Sequence, residues 1–168
     1  PVGSVILTGD NSEAILLLTN GSFATIGSNS KLKISGFWQK DFSYSDKKII
    51  ELEEETSSSR VVLKVEIGEL VVDISKLKKD SSFVINTPRG VAGVRGTQFS
   101  LFSELKSTRL HVLEGNVVFM DSKKNPLNVE TVQKIEGTKA GAGKVDNLLD
   151  TEKQFIEKQI LKSKNAVS

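Results

Sequence analysis

The sequence predicts an all-β protein, a β-sandwich or a short twisted β-solenoid, with one α-helix at its C-terminal end. Apolar residues alternate with polar ones through most of the chain, and glycine and asparagine separate the alternating runs. Helical spacing of apolar residues appears only near the end. The 168 residues suffice for one domain, which would bury about 70% of its unfolded surface without help from metals or disulfides.

Period-two alternation identifies the strands in order. In the run 61–67, Val61, Leu63, Val65 and Ile67 should share the face directed to the core, because side chains two apart lie on one side of a strand. Other runs of this kind cover 70–74, 82–86, 99–101, 110–112 and 117–119.

Three glycines mark a faint internal repeat. Gly21, Gly68 and Gly115 are 47 residues apart, and each stands between two strand-like runs. This spacing predicts a recurring unit of strand, glycine corner and strand. The alternative is that glycine often ends strands and that the equal spacing is coincidental.

The C-terminal part departs from the strand pattern. We divide the chain into a β-domain over 1–137, a Gly/Ala linker over 138–145 and a helix over 146–163. Thr151, followed three residues later by Gln154, resembles a capping box at the start of that helix.

Composition excludes several function classes. Lys plus Arg total 23 and Asp plus Glu 21, so the clustered basic excess of a nucleic-acid binder is missing. There is no cysteine, which excludes disulfides and thiolate sites. No apolar run is long enough to span a membrane. Because the chain begins at Pro1 without methionine, we expect any signal peptide or anchor to lie outside these residues.

Catalytic and metal-binding patterns are not evident. The single histidine, His111, alternates with apolar neighbours, so an exposed strand position explains it and no catalytic residue is predicted. The carboxylates at Glu51, Glu53, Glu54 and Glu55 lead into a serine run, which indicates a solvated loop rather than a calcium site. We therefore predict no enzyme activity, no metal and no cofactor.

Four aromatic residues cluster within one stretch: Phe37, Trp38, Phe42 and Tyr44. They form a candidate binding surface, because sugar-binding clefts often use aromatic faces. The alternative, which we favour, is that they close one end of the core.

The most distinctive segment is the glycine-rich stretch 87–99. Gly90, Gly93 and Gly96 are three residues apart, but no lysine or helix follows as a phosphate-binding loop requires. Glycines within strands usually mark bulges or close backbone approach.

Arg95 is the unusual residue of this stretch. A guanidinium held among glycines suggests a fixed bidentate partner. We expect an internal ion pair with Glu114 or Asp73, so that Arg95→Ala should lower the melting temperature sharply.

The same stretch resembles the signature of the FecR family of bacterial extracytoplasmic domains. That resemblance rests on a Val-Arg-Gly-Thr-x-Phe motif and a later Val-x-Glu-Gly-x-Val motif, matched here by Val94, Arg95, Gly96, Thr97 and Phe99, and by Val112, Glu114, Gly115 and Val117. Gly68-Glu-Leu with Val72-Asp73-Ile74 looks like an upstream strand of the family. The resemblance covers about residues 3–137 and marks Arg95, Gly96, Thr97, Phe99, Gly68 and Gly115 as a structural motif.

The resemblance implies an exported β-domain of the bacterial envelope. The best-known members relay occupancy of a TonB-dependent outer-membrane receptor to a cytoplasmic sigma factor, and others sit in lipoproteins or surface proteins. This chain shows no anti-sigma helix bundle, no membrane-spanning segment and no small α/β signalling domain after residue 140.

The resulting expectation is a non-catalytic module for protein interaction or sensing, in the periplasm or otherwise outside the cytoplasm. Its partner would be an envelope protein, such as a receptor signalling domain or a regulator. The alternative is a structural or cell-wall glycan-binding module. We expect no nucleic-acid partner, and exposed strand edges leave self-association open.

Overall fold

The computed structural model describes residues 1–41 and 48–168, and this part of the chain forms fourteen strands and one long helix. The strands are β1 Val5–Leu7, β2 Ala14–Leu17, β3 Phe23–Ile26, β4 Lys31–Gln39, β5 Ser59–Asp73, β6 Ser82–Thr87, β7 Gly90–Val94, β8 Gln98–Ser103, β9 Ser107–Glu114, β10 Asn116–Asp121, β11 Pro126–Glu130, β12 Gln133–Thr138, β13 Gly141–Ala142 and β14 Asp146–Asn147. The helix α1 spans Asp150–Val167, and a 3-10 helix covers Ile49–Glu51. The predicted all-β fold with one C-terminal helix is confirmed.

The strands form one curled sheet that folds into two layers. Sheet A contains, in spatial order, β1, β4, the first half of β5, β6, β7, β10 and β11. Sheet B contains β2, β3, the second half of β5, β8, β9 and β12, with β13 and β14 beside β12. Among the strands of the described residues, β5 and β6 are the one parallel pair. The long strand β5 therefore joins the layers, and the core lies between them.

Two of the three repeat glycines lie where the chain passes from one layer to the other. Gly68 has a φ of 109° and lies within β5, where pairing changes from sheet A to sheet B. A side chain there would collide with Ser30. Gly115 has a φ of 94° and joins β9 of sheet B to β10 of sheet A. Gly21, with a φ of 89°, lies in the turn between β2 and β3, within sheet B, and packs closely against Leu52 and Ser75.

The core follows the predicted alternation up to that corner. Val61, Leu63 and Val65 are fully buried between the layers. Ile67 is 43% exposed, so its predicted place in the core is wrong. The reason is that the register between β4 and β5 shifts between Lys31 and Leu32, just before β5 bends at Gly68.

Helix α1 begins later than predicted, at Asp150 rather than residue 146. Its cap is formed by Glu152, whose carboxylate accepts a hydrogen bond from the Leu149 backbone N–H at 2.7 Å, and not by Thr151 with Gln154. The segment 138–145, predicted as a linker, contains β13, which pairs with the end of β12. Backbone pairing thus extends the β-domain almost to the helix.

Helix α1 covers the outer face of sheet B. Its Ile156 and Ile160 are buried against Phe23 and Val71, which point away from the main core, and Leu148 joins this second cluster. Burial of these apolar side chains stabilises an amphipathic helix far more than its intrinsic helix propensity does.

Polar contacts set the position of the helix along the sheet. Lys164 forms an ion pair with Asp73 of β5 at 2.8 Å. Glu152 forms one with Lys134 of β12 at 2.9 Å. Both ends of the helix are therefore tied to sheet B.

The acidic stretch before β5 is not wholly solvated, which corrects the sequence prediction. Glu55 is 1% exposed. Its carboxylate accepts hydrogen bonds from the hydroxyls of Ser59, at 2.6 Å, and Ser81, and from the Lys78 N–H at 2.6 Å. Several donors replace the lost water, which makes burial of this charge tolerable.

Candidate interaction surface

The signature motif forms a corner between β7 and β8. Gly96 takes a φ of 60°, and the buried Thr97 hydroxyl donates to the Asn116 carbonyl at 3.0 Å. A side chain at Gly115 would come within 2.7 Å of the Gly96 carbonyl. Phe99 lies in the core between the layers. These contacts hold two corners of the chain against each other.

Arg95 does not make the predicted buried ion pair. Its side chain is exposed, and the guanidinium donates two long hydrogen bonds, at 3.4 Å to the Leu77 carbonyl and 3.3 Å to the Lys79 carbonyl. The prediction is wrong because Arg95 follows the buried Val94 and so points outward from sheet A. The guanidinium retains hydrogen-bonding capacity towards solvent.

The two carboxylates proposed as its partners do lie nearby. Asp73 and Glu114 line a cavity of about 490 Å³ together with Arg95. Asp73 is held instead by Lys164 and by the Gln98 side-chain amide at 3.2 Å. The expected ion pair of Arg95 with Asp73 or Glu114 is therefore not formed, although all three residues line one cavity.

His111 points away from the core as predicted, but it is not an exposed histidine. It lies between sheet B and α1, 3.9 Å from the Glu152 carboxylate. Burial lowers the pKa of His111, and the neighbouring Glu152 acts to raise it. Burial raises the pKa of Glu69, which lines the same cavity of about 350 Å³.

The aromatic cluster is divided by the structure. Phe37 packs against the core, as expected if it closes the core. Trp38 is 52% exposed on the outer side of sheet A, with the Arg60 guanidinium 5.7 Å from its ring centre. Phe42 and Tyr44 lie outside the described residues. Trp38 and Arg95 are thus the two predicted residues that share one surface.

That surface is the outer side of β4, β5, β6, β7 and β10, which we call the uncovered face. Among residues 1–41 and 48–168, no helix packs on it. Pairing registers align one row across five strands, in the order Gly36, Val62, Val84, Gly93 and Val118. Val118 and Met120 are 41% and 40% exposed. The face is therefore apolar at its centre.

A shallow groove lies within this face. Gly93 of β7 forms its floor, while Val84 of β6 and Val118 of β10 form its walls. Arg95 and Asn116 lie at one end. The volume is about 380 Å³, enough for a large side chain together with part of the backbone that carries it. We call this the Gly93 groove.

The two glycines of the row are not required by steric contacts within the fold. A Cβ on Gly93 would meet only the Val118 carbonyl oxygen, at 3.8 Å, and one on Gly36 would meet Val62 at an ordinary 3.5 Å. Neither glycine has a positive φ. Gly36 lies at a register shift between β4 and β5, and glycine in a strand often marks such a bulge. Glycine in a strand interior costs about 0.5–1 kcal/mol relative to alanine, so the fold alone does not explain Gly93.

Charge on the uncovered face is strongly one-sided. Its outward positions carry four basic side chains, Lys31, Lys33, Arg60 and Lys64, and one acidic side chain, Glu66. Arg95 follows the end of β7, and the adjoining strand β11 adds the exposed Glu130 beside Asn116. The whole chain has a net charge of only +2. Lys31 pairs with Glu66 at 2.8 Å, which leaves the rest of the rim basic.

Sequence reasoning missed the uncovered face, although a signal was present. The strands β6 and β10 read Phe83-Val84-Ile85 and Val117-Val118-Phe119-Met120, which are continuous apolar runs. Such runs indicate strands that are apolar on both faces. We used them only to locate strands.

Two classes of site are not found. In the described part of the chain, no three His, Asp or Glu side chains are grouped so that they could hold a metal ion. Among the same residues, no helix has the length and apolar character needed to cross a membrane.

The curled two-layer sheet and the corner between β7 and β8 are features by which the chain can be assigned to a protein family. The family described as FecR protein matches residues 4–118. The chain therefore belongs to the FecR family, as the motif residues predicted. Comparison with curated proteins finds no significant match.

Solved structures share the fold. Two crystal structures of a protein described as an anti-sigma factor from Parabacteroides distasonis ATCC 8503, at 2.50 and 1.65 Å resolution, superpose with TM-scores of 0.64 and 0.62. Identity is 13% in both, over 86% of this chain. This chain spans 60% of the length of those chains.

Proposed function

We propose that this chain is a non-catalytic, extracytoplasmic interaction module that takes part in cell-surface signalling to a sigma factor. Membership of the FecR family over residues 4–118 is the observation that carries this proposal. The description of the structural neighbours as an anti-sigma factor supports it in the same direction. The partner would be an envelope protein, such as the signalling domain of a TonB-dependent receptor or an inner-membrane regulator.

The geometry supports binding rather than catalysis. Among the described residues, the uncovered face contains no histidine and one carboxylate, Glu66, which Lys31 already pairs. An exposed apolar centre with a charged rim is the usual composition of a protein-binding surface.

A structural or glycan-binding role in the envelope is the second candidate. The exposed ring of Trp38 favours it, because aromatic faces stack on sugars. Trp38 is the single tryptophan of the chain, so its fluorescence reports glycan binding directly. Quenching by cell-wall glycans, together with loss of glycan binding in calorimetric titration of Trp38→Leu, would support this role against the first.

The test of the first proposal is crosslinking and capture of the full-length protein from the source bacterium, with mass spectrometry as readout. Recovery of a TonB-dependent receptor or an inner-membrane regulator supports signalling. Recovery of only peptidoglycan, surface polymer or further copies of the chain supports the structural role.

Location and regulation need separate measurements. An alkaline phosphatase fusion should be active if the chain is exported, since that enzyme requires an oxidising compartment for its disulfides. Deletion of the gene should change transcription of genes under one sigma factor. An unchanged transcript profile would contradict the signalling role.

A further inference from the structure

We propose that the Gly93 groove is the docking site for an acidic amphipathic helix of a protein partner. One apolar side chain of that helix enters the groove between Val84 and Val118, and a carboxylate beside it pairs with Arg95. The proposal rests on the proposed function in one respect, that the chain acts by binding another protein.

The glycine that the fold does not explain, Gly93, shows where a partner approaches closely. Gly93 and Gly36 lie in the same row of the uncovered face, and each has room for a side chain. Glycine in a strand often marks a place where another backbone or ligand comes near. The glycines at 68, 90, 115 and 137, by contrast, are each forced by an internal clash.

A helix fits this place better than an extended peptide. Strand β7 is already paired on both sides, with β6 and with β10, so its backbone offers no free hydrogen bonds to an added strand. A helix satisfies its own backbone and needs only side-chain contact. The groove walls belong to β6 and β10, which lie on either side of β7. These two strands are therefore about 10 Å apart, which is close to the diameter of a helix.

The same chain already shows this mode of packing on its other layer. Helix α1 covers sheet B by placing Ile156 and Ile160 on Phe23 and Val71. Ion pairs at its two ends, Lys164 with Asp73 and Glu152 with Lys134, set its position. The uncovered face offers the corresponding combination, an apolar centre with charges at its rim.

The charges of the rim select an acidic partner. Arg60, Lys64 and Arg95 are exposed. Among the described residues, Arg60 and Arg95 form no ion pair, and Lys64 forms only a long one, at 3.9 Å, with Glu66. Arg95 makes only its two long bonds to backbone carbonyls. A carboxylate at the end of the groove would give it a shorter, charge-assisted bond.

The shape of the face argues against an anionic membrane as the occupant. The apolar residues Val84, Gly93 and Val118 form a depression, and Val118 and Met120 are only about 40% exposed. Interfacial binding needs apolar side chains that project into the acyl region.

The test uses two synthetic amphipathic peptides of about 18 residues, with the same leucine stripe and with either Glu or Lys at the flanking positions. Calorimetric titration into the protein should show affinity for the Glu peptide about tenfold or more above that for the Lys peptide. Val118→Lys and Gly93→Leu should each reduce binding of the Glu peptide about tenfold, and Arg95→Gln about threefold.

The matched control is Leu161→Lys, which introduces the same charge at an exposed leucine of α1. It should leave the affinity unchanged, and circular dichroism should show that all variants are folded. Equal affinity for the two peptides, no binding to either at about 1 mM, or equal loss in Leu161→Lys would overturn the proposal. Stronger binding to anionic vesicles, lost in Val118→Lys, would overturn it in favour of a membrane.

Capture from the bacterium separates this proposal from the proposed function. If a protein partner is recovered by the wild type and lost with Val118→Lys, the result supports both the docking site and the proposed function. If the partner is recovered equally by Val118→Lys and Gly93→Leu, the docking site is wrong and the proposed function stands. If no envelope protein is recovered by any form, the proposed function fails.

Discussion

The outer faces of the two layers differ in what covers them. Sheet B carries Phe23 and Val71 outward, and α1 buries both. Sheet A carries Val62, Val84 and Val118 outward, and no element in the described part of the chain lies over them. Apolar side chains on one face thus meet a helix of the same chain, whereas those on the other face remain accessible.

This comparison shows that, in a curled sheet, each outer face is either buried by the chain or left available for binding, independently of the other face. Both faces belong to strands that share one core, so both have the same backbone support. Removing apolar area from water contributes about 25 cal/mol per Å², and on sheet B this contribution already stabilises the fold. On sheet A it is still available for binding.

The largest effect is expected where the two layers join. Gly68→Ala should lower the free energy of unfolding by roughly 3 kcal/mol or more, because the side chain meets Ser30 and the φ of 109° is strained for alanine. At this chain length that corresponds to a fall in Tm of about 6–12 °C. Thermal unfolding measures it.

Gly93→Ala is the matched control on the uncovered face. Its new methyl meets open space, so Tm should stay the same or rise slightly. Equal losses in the two variants would show that Gly93 also has a packing role and would weaken the distinction between the faces.

The next effect compares the two faces directly. Ile156→Ala removes a fully buried side chain beneath α1 and should cost about 2–4 kcal/mol in urea unfolding. Val118→Ala removes apolar atoms from the uncovered face and should change stability by about 0.5 kcal/mol at most. A large loss for Val118→Ala would mean that part of this chain already covers it.

A smaller difference in stability is expected between substitutions of the two motif residues Thr97 and Arg95. Thr97→Val removes a buried hydrogen bond to the Asn116 carbonyl and should cost about 1 kcal/mol. Arg95→Gln, on the exposed side of the same corner, should stay within about 0.5 kcal/mol. If Arg95→Gln proved the more costly change, the guanidinium would be a structural group, as the sequence first suggested.

The smallest effect is a pH dependence on the covered face. Because the pKa of His111 is lowered in the folded protein, the unfolded chain binds its proton first as the pH falls below about 6.5. The free energy of unfolding should therefore decrease from about pH 6.5 downward. The groups facing His111 are Glu152 on α1, Lys134 on β12 and Arg109 on β9, and Glu69 lines the same cavity.

The measurement is the difference in urea stability between wild type and His111→Gln across pH 5–8. That subtraction removes the opposite contribution of Glu69, whose raised pKa makes the folded state bind the extra proton. A difference that does not vary with pH would show that α1 does not cover His111 in solution.

Sequence patterns predicted local features well. Alternation placed Val61, Leu63 and Val65 in the core, and the glycine corners at Gly68 and Gly115 lie where the chain changes layers. These features depend on side-chain period and on positive φ, which are properties of neighbouring residues. The motif residues also identified the FecR family correctly.

Predictions that depended on distant contacts were less accurate. Glu55 was assigned to solvent because donors 4 to 26 residues away could not be foreseen. Arg95 was assigned to a carboxylate because a guanidinium among glycines suggests a fixed bidentate partner, yet Asp73 is held by Lys164 from α1. In each case, a long-range partner decided the outcome.

By itself, then, the sequence determined the fold class, the family and the corners, because periodicity and glycine conformation act within a few residues. Only the tertiary structure decided which outer face is available. Val71 and Val84 read alike in the sequence, as β-branched residues within apolar runs. Folding places α1 over Val71 and leaves Val84 beside the Gly93 groove, because a helix of this length can bury only one of the two layers.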